Sequence, residues 1–180
     1  MGGKQRGVTV WFTGLSGAGK TTIAKCVHTR LTNAGLKAEC LDGDVIRTKL
    51  CNDLGFSKQD RHTNIERVSY VAQLLTKHDV ICLASLISPY RSMRQYAKEE
   101  IGDWLEVYVT APLELLIARD VKGLYRKAIA GEILHFTGIS DPYEPPLAPD
   151  LVLETDQQDV QACAQHVIDL LANRGYITRG

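Results

Sequence analysis

The chain has 180 residues, 44% hydrophobic and 23% charged, a composition that fits one ordinary globular domain and excludes wholesale disorder. Lysine plus arginine and aspartate plus glutamate both number 21, so a generic nucleic-acid coat, which needs a basic surplus, is excluded, whereas a local basic pocket for a small anion is not. No apolar run approaches the ~20 residues of a membrane span and the N-terminus has no signal-peptide core, so a cytoplasmic protein without a membrane partner is expected.

Residues 8–13 read as a buried strand and 21–34 as a helix ended by Gly35. Residues 37–41 form a second short strand, followed by the acidic turn Asp42-Gly43-Asp44. Ser57 caps a long helix running to residue 78, with apolar positions at Ile65, Val68, Val71, Ala72 and Leu75. Residues 80–87 are the most apolar strand and stop at Ser88-Pro89. A helix over 92–100 precedes a strand at 105–109, and Pro112 opens another helix. A last strand spans 151–153 and a closing helix 160–172. The five cysteines (Cys26, Cys40, Cys51, Cys82, Cys163) are scattered, without CxxC pairs, and are expected to be free thiols.

Alternating strands and helices predict an α/β fold: three layers, with a mostly parallel sheet of about five strands between helices. No repeat or linker divides residues 1–180, so a single domain is expected. One segment does not fit. From 123 to 149 the text turns polar, with Gly131, Gly138 and four prolines, and offers no convincing strand. An excursion of this length in a compact domain is functional or disordered.

Gly14-Leu15-Ser16-Gly17-Ala18-Gly19-Lys20-Thr21 satisfies GxxxxGK[ST] between a predicted strand and a predicted helix, the context a P-loop requires. Its glycines let backbone N–H groups turn toward phosphate oxygens, and the helix start adds its positive dipole end. Lys20 can reach the β- and γ-phosphates, and the Thr21 hydroxyl can ligate Mg²⁺. A GTPase switch would also carry DxxG and then [NT]KxD. Asp120-Val121-Lys122-Gly123 and Thr76-Lys77-His78-Asp79 match these patterns, but in the wrong chain order, and the second lies at a helix end; both read as chance.

Asp42-Gly43-Asp44-Val45-Ile46-Arg47 follows the second strand and so projects from the carboxyl edge of the sheet, where doubly wound folds hold ligands. Two carboxylates beside a P-loop can hold Mg²⁺ through water or accept a proton from an attacking hydroxyl. The same residues also suit a polar turn before a helix start. Arg47, Arg61 and Arg91 lie near strand ends or the start of the long helix, and a guanidinium fork grips phosphate or sulfate oxygens.

Further blocks follow in order: Leu54-Gly55-Phe56-Ser57, Asp60-Arg61, Asn64-Ile65 and Ile87-Ser88-Pro89-Tyr90-Arg91. Lys122-Gly123-Leu124-Tyr125, Gly131-Glu132, Phe136-Thr137-Gly138-Ile139 and Pro142-Tyr143-Glu144 complete the set. Together with the P-loop and Leu41-Asp42-Gly43-Asp44, they resemble the adenylylsulfate kinase (APS kinase) family of P-loop kinases. The resemblance implies transfer of the ATP γ-phosphate to the 3′-hydroxyl of adenosine 5′-phosphosulfate (APS), giving 3′-phosphoadenosine 5′-phosphosulfate (PAPS) and ADP, in sulfate assimilation. It implies that Gly14, Leu15, Ser16, Gly17, Ala18, Gly19, Lys20, Thr21 and Thr22 bind ATP, with Arg119 against its adenine. Phe56 and Phe136 would sandwich the APS adenine, and Arg47, Arg61 and Asn64 would hold its phosphosulfate and ribose beside Asp44, Ile87 and Ser88. Lys122 and Leu124 would belong to a lid over residues 120–149. Lys20, Asp44 and Ser88 are the expected catalytic group, with Mg²⁺ on Thr21 and Asp42. Ser88 is expected to touch substrate rather than carry phosphate, because P-loop kinases place donor and acceptor in line.

Three positions depart from the family text: Val121 replaces a common proline, Leu134 a common basic residue, and Val45 an asparagine. No plant-type cysteine extension and no fused sulfurylase are expected, and the family likeness implies a homodimer. The other readings are a P-loop kinase for a different small metabolite and a silent nucleotide-binding domain. Acceptor-dependent phosphate transfer separates them.

Overall fold

Six consecutive buried residues, Val8–Thr13, form strand β1 at the centre of the sheet. Around it the computed structural model, which describes residues 5–178, runs α1 (Lys20–Asn33), β2 (Ala38–Asp42), α2 (Gly43–Lys49), α3 (Lys58–Lys77) and β3 (Ile81–Ser85). It continues through α4 (Arg91–Ile101), β4 (Trp104–Thr110), α5 (Leu113–Arg119), α6 (Leu124–Ile129), β5 (Leu151–Glu154) and α7 (Val160–Asn173). The strands lie in the order β2-β3-β1-β4-β5, and the sheet is wholly rather than mostly parallel. Strands buried on both faces explain why β1 and β3 read as continuous apolar runs.

The two-residue period of β1 divides the interior into two cores. Val8, Val10 and Phe12 pack with Val27 and Leu31 of α1 and Val167 and Leu171 of α7. Trp11 faces the other way, with Ile65, Val68 and Ala72 of α3 and Met93 and Ala97 of α4, and stacks on Trp104 at 4.9 Å. The register levels the strand ends: Asp42 and Phe12 both pair with Ser85, Thr13 with Tyr108, and Thr110 with Glu154. The loops that follow all five strands therefore open onto one edge, the ligand edge of doubly wound sheets.

Two sequence expectations change. Asp42-Gly43-Asp44 is a helix start rather than a turn: Asp42 Oδ1 accepts from the N–H groups of Asp44 (3.0 Å) and Val45 (3.2 Å). A Cβ on Gly43 would lie 2.9 Å from the Ser85 carbonyl oxygen, so the helix abuts β3 only without a side chain there. The polar excursion contains α6, whose six residues are too few for a helical period to declare itself. The long helix begins as expected, with Ser57 Oγ accepting from Asp60 N–H at 3.1 Å.

The two GTPase-like matches have structural duties. The Asp120 carboxylate accepts from Tyr125 N–H (2.9 Å) and Arg126 N–H (3.1 Å), satisfying the first turn of α6. Thr76 meets Thr9 hydroxyl to hydroxyl at 2.8 Å, and Asp79 accepts from Gly7 N–H, both at the sheet's amino edge, away from the P-loop. All five cysteines are free thiols. Burial pushes Cys40 up to about 11 and Cys82 up to about 12, so neither is an activated thiol. No helix among the described residues is long and apolar enough to cross a membrane.

Candidate active site

The P-loop leaves β1 at Gly14, whose φ of +151° and whose Cβ position, 2.1 Å from the Val109 carbonyl oxygen, admit only glycine. The chain turns through Leu15, Ser16, Gly17, Ala18 and Gly19 into α1 at Lys20. The Lys20 ammonium is buried and donates to the carbonyls of Gly14 and Leu15, both at 2.8 Å. Burial, with nearby Lys122, brings its pKa down to about 7 against the opposing pull of Asp44 and Asp42. The loop is braced from two sides: Thr155 Oγ1 donates to Ala18 O (2.8 Å) and Tyr125 Oη to Ser16 O (2.7 Å). Thr22 is exposed, and Arg119, also exposed, donates to Thr155 O at 3.3 Å.

Thr21 and Asp42 meet directly. Thr21 Oγ1 donates to Asp42 Oδ2 at 2.7 Å, while Asp42 Oδ1 caps α2. Burial works to raise the Asp42 pKa, but the bonds from Thr21, Val45 and Asp44 outweigh it, so the carboxylate is held below its usual range. Two oxygen groups side by side, one ionised, at the start of α1 form a donor set that suits a hard divalent cation. Asp44, one residue into α2, is exposed and pairs with Lys122 Nζ from the turn between α5 and α6. A contact therefore runs from the P-loop through Asp42 and α2 to the α5–α6 turn.

The residues expected on the acceptor side converge on Arg61. It is buried, its Nε donates to Phe56 O (2.9 Å), its Nη1 to Thr137 Oγ1 (2.5 Å), and its Nη2 to Asp141 Oδ2 (3.1 Å) and to His135 O. The segments carrying Phe56 and Phe136 thus meet at one guanidinium. Phe56 is 61% exposed, with the Arg47 guanidinium 4.8 Å from its ring centroid and Arg47 Nη1 donating to Gly55 O at 2.7 Å. Asn64 follows Arg61 by three residues on the same helix face; its side-chain oxygen is buried without a partner, a cost that a polar ligand edge would relieve. Phe136 is half-buried and has a partner that its polar neighbourhood concealed: the Tyr125 ring, edge-on at 5.1 Å. Leu124, half-buried, starts α6.

Ser88 is buried at φ +43°, and its Oγ accepts from Trp11 Nε1 (3.0 Å) and bonds Thr13 Oγ1 (3.2 Å). Thr13 Oγ1 in turn donates to Ile87 O at 2.7 Å. Arg91 is turned to the segment before β5 instead of the P-loop, its Nε donating to Pro145 O and its N–H to Glu144 Oε2, both at 2.8 Å. Sequence reasoning missed Arg94 and gave no role to Thr13, Tyr125 or Tyr143, although Tyr125 and Tyr143 stand in its motif blocks; all four tie these loops together. Arg94 left one signal, an arginine within the apolar stripe Met93, Ala97 and Ile101 of α4. An open groove of about 520 Å³ between Leu15, Tyr108, Ile139 and Tyr143 is lined by none of Lys20, Asp44, Arg61 or Asn64, so it is not where these groups converge.

A P-loop at the carboxyl edge of a five-stranded parallel sheet, with the Asp42 and Asp44 carboxylates beside it, defines a P-loop phosphotransferase. The family model for adenylylsulphate kinase matches residues 6–154. An adenylyl-sulfate kinase of Halothermothrix orenii is 60% identical over 96% of this chain and 94% of its own, and one of Synechococcus sp. is 57% identical over 96% and 99%. The structure of the Mycobacterium tuberculosis APS kinase CysC in complex with AMPPNP and APS superposes with a TM-score of 0.90 at 47% identity, covering 93% of this chain and 99% of that one. The chain belongs to the adenylylsulphate kinase family.

Proposed function

We propose that this kinase transfers the γ-phosphoryl group of ATP to the 3′-hydroxyl of APS, giving PAPS and ADP, at the junction of the P-loop, α2 and the lid. The observation that carries the reading is the continuous contact Thr21–Asp42–α2–Asp44–Lys122, in which an exposed carboxylate, paired with Lys122, stands beside the phosphate-binding loop. ATP lies in the P-loop, where Lys20 exchanges the Gly14 and Leu15 carbonyls for phosphate oxygens. Thr21 and Asp42 would hold Mg²⁺, which supplies charge neutralisation between the β- and γ-phosphates. Asp44 accepts the proton of the attacking hydroxyl once Lys122 turns to substrate. Arg47, Arg61 and Asn64 hold the acceptor's anionic groups and ribose, Phe56 and Phe136 its base, and the backbone at Ile87 and Ser88 its flank. Ser88 keeps its hydroxyl on Trp11 and Thr13 and serves by position, since direct in-line transfer needs no phosphoserine.

The test incubates the full chain with ATP, Mg²⁺ and APS and measures PAPS and ADP. Equal amounts of both, with ADP release dependent on APS, are expected; ADP release indifferent to APS would overturn the reading. Gel filtration with light scattering tests the homodimer that belongs to the same proposal, and a monomer mass would refute it.

A further inference from the structure

We propose that Arg94 is a positioning residue that fixes the acceptor-side loop at Ile87–Ser88 against both the P-loop strand and the returning end of the lid. The inference rests on the functional reading above, and it concerns a side chain that does not itself reach substrate.

Arg94 lies in α4 and is buried. Its guanidinium holds three separate chain segments. Nε donates to Glu106 Oε1 of β4 at 2.9 Å, Nη1 to Ser88 O at 2.6 Å and Nη2 to Glu144 O at 2.6 Å. The Tyr143 ring lies 5.7 Å from the guanidinium, and the Tyr143 hydroxyl meets Thr13 Oγ1 at 2.9 Å. Thr13 immediately precedes the P-loop and donates to Ile87 O. The loop after β3 is thus gripped at successive carbonyls, Ile87 from the P-loop strand and Ser88 from Arg94. The lid's end is docked alongside by Glu144 N–H donating to Pro89 O at 2.8 Å.

Two considerations favour positioning over simple cohesion. A buried ion pair adds little net stability compared with apolar residues of similar volume, so Arg94 and Glu106 are not explained by stability alone. The backbone at Ser88 sits at φ +43°, a region that costs a non-glycine residue and persists only when surrounding bonds over-determine it. Arg94, Trp11 and Thr13 supply that over-determination, and they do so at the end of β3, level with the P-loop. Arginine's planar fork suits a task that lysine's single point of charge cannot perform in three directions.

The test uses two full-length variants. Arg94→Met/Glu106→Leu removes both charges together, so neither is left buried alone; Arg94→Lys keeps the charge and the Glu106 pairing but cannot span both carbonyls. AMPPNP and APS binding are measured separately by calorimetry, turnover with both substrates, and melting temperature alongside. In both variants AMPPNP affinity should stay within about 2-fold of the unmodified chain while APS affinity weakens about 10-fold or more. Misplacement of the acceptor should also lower kcat by roughly 10²-fold. APS affinity and kcat unchanged in a folded variant would overturn the proposal. So would AMPPNP and APS affinities falling in parallel with the melting temperature, the mark of general support. An unmodified chain that binds AMPPNP but not APS would overturn the functional reading, and this proposal with it.

Discussion

Lys20 is held by two carbonyls of the very loop it serves, and its burial sets the pH behaviour of donor binding. Its folded pKa of about 7 lies below the 10.5 of an unburied lysine, so between those values the unfolded chain binds more protons and the stability of the nucleotide-free protein rises with pH. Polyphosphate beside the ammonium restores its charge. ATP binding at pH 8 should therefore take up protons, seen as a binding enthalpy that depends on the buffer's ionisation enthalpy; Lys20→Ala should lose that dependence. At the other side of the junction, Asp44→Asn should cut kcat by roughly 10²–10⁴-fold with ATP affinity kept, the range for a lost general base. If Asp42→Asn abolishes turnover while Asp44→Asn leaves it intact, the two roles are exchanged. Phe136→Ala should weaken APS binding by roughly 5- to 150-fold, as loss of a stacked base does. Because Phe136 also packs on Tyr125, Tyr125→Phe is the control: it keeps the ring contact, drops only the bond to Ser16, and should spare most APS affinity.

Among the elements, α6 starts on the support of a single side chain. Its first turn is satisfied by the Asp120 carboxylate, and loss of such a cap costs about 0.5–2 kcal/mol locally. Asp120→Ala should raise hydrogen exchange over 124–129 and sensitise that segment to proteolysis with little change in the main melting transition. Unaltered exchange there would show that α6 is held by Tyr125 and Ala128 packing alone. The elements also explain what the sequence could reveal. The strands β1 and β3, the cap at Ser57 and the P-loop were legible because each is fixed by local composition or spacing. The helix α2 was legible only as one of two readings, a polar turn before a helix start, because Asp42 serves as cap and P-loop partner at once and seven residues are too few for a helical period to declare itself. The partner of Phe136 comes from α6, a helix below the length at which periodicity speaks. Arg61's binding to Thr137 and Asp141 spans more than seventy residues, a distance at which only the folded chain brings groups together.

For the molecule as a whole, the central strand belongs to both cores, since Val10 and Phe12 face one and Trp11 the other. Both tryptophans of the chain lie in the α3–α4 core, so fluorescence reports that side alone while far-ultraviolet circular dichroism reports both. A sheet shared in this way should unfold as one unit, giving coincident urea midpoints by the two probes. Separate midpoints would show that the α1–α7 side survives without its counterpart.

The bond between Arg119 and Thr155 ties the last residue of α5, where the excursion leaves, to the residue that follows β5. The chain returns at the other end of β5, where Asp150 N–H donates to Glu106 O of β4 at 2.9 Å, so departure and return lie at opposite ends of the fold's last parallel pair. The segment between them is therefore a strap along that pair, and because Tyr125 within it donates to Ser16 O of the P-loop, a change in its length should be felt at the phosphate-binding loop itself.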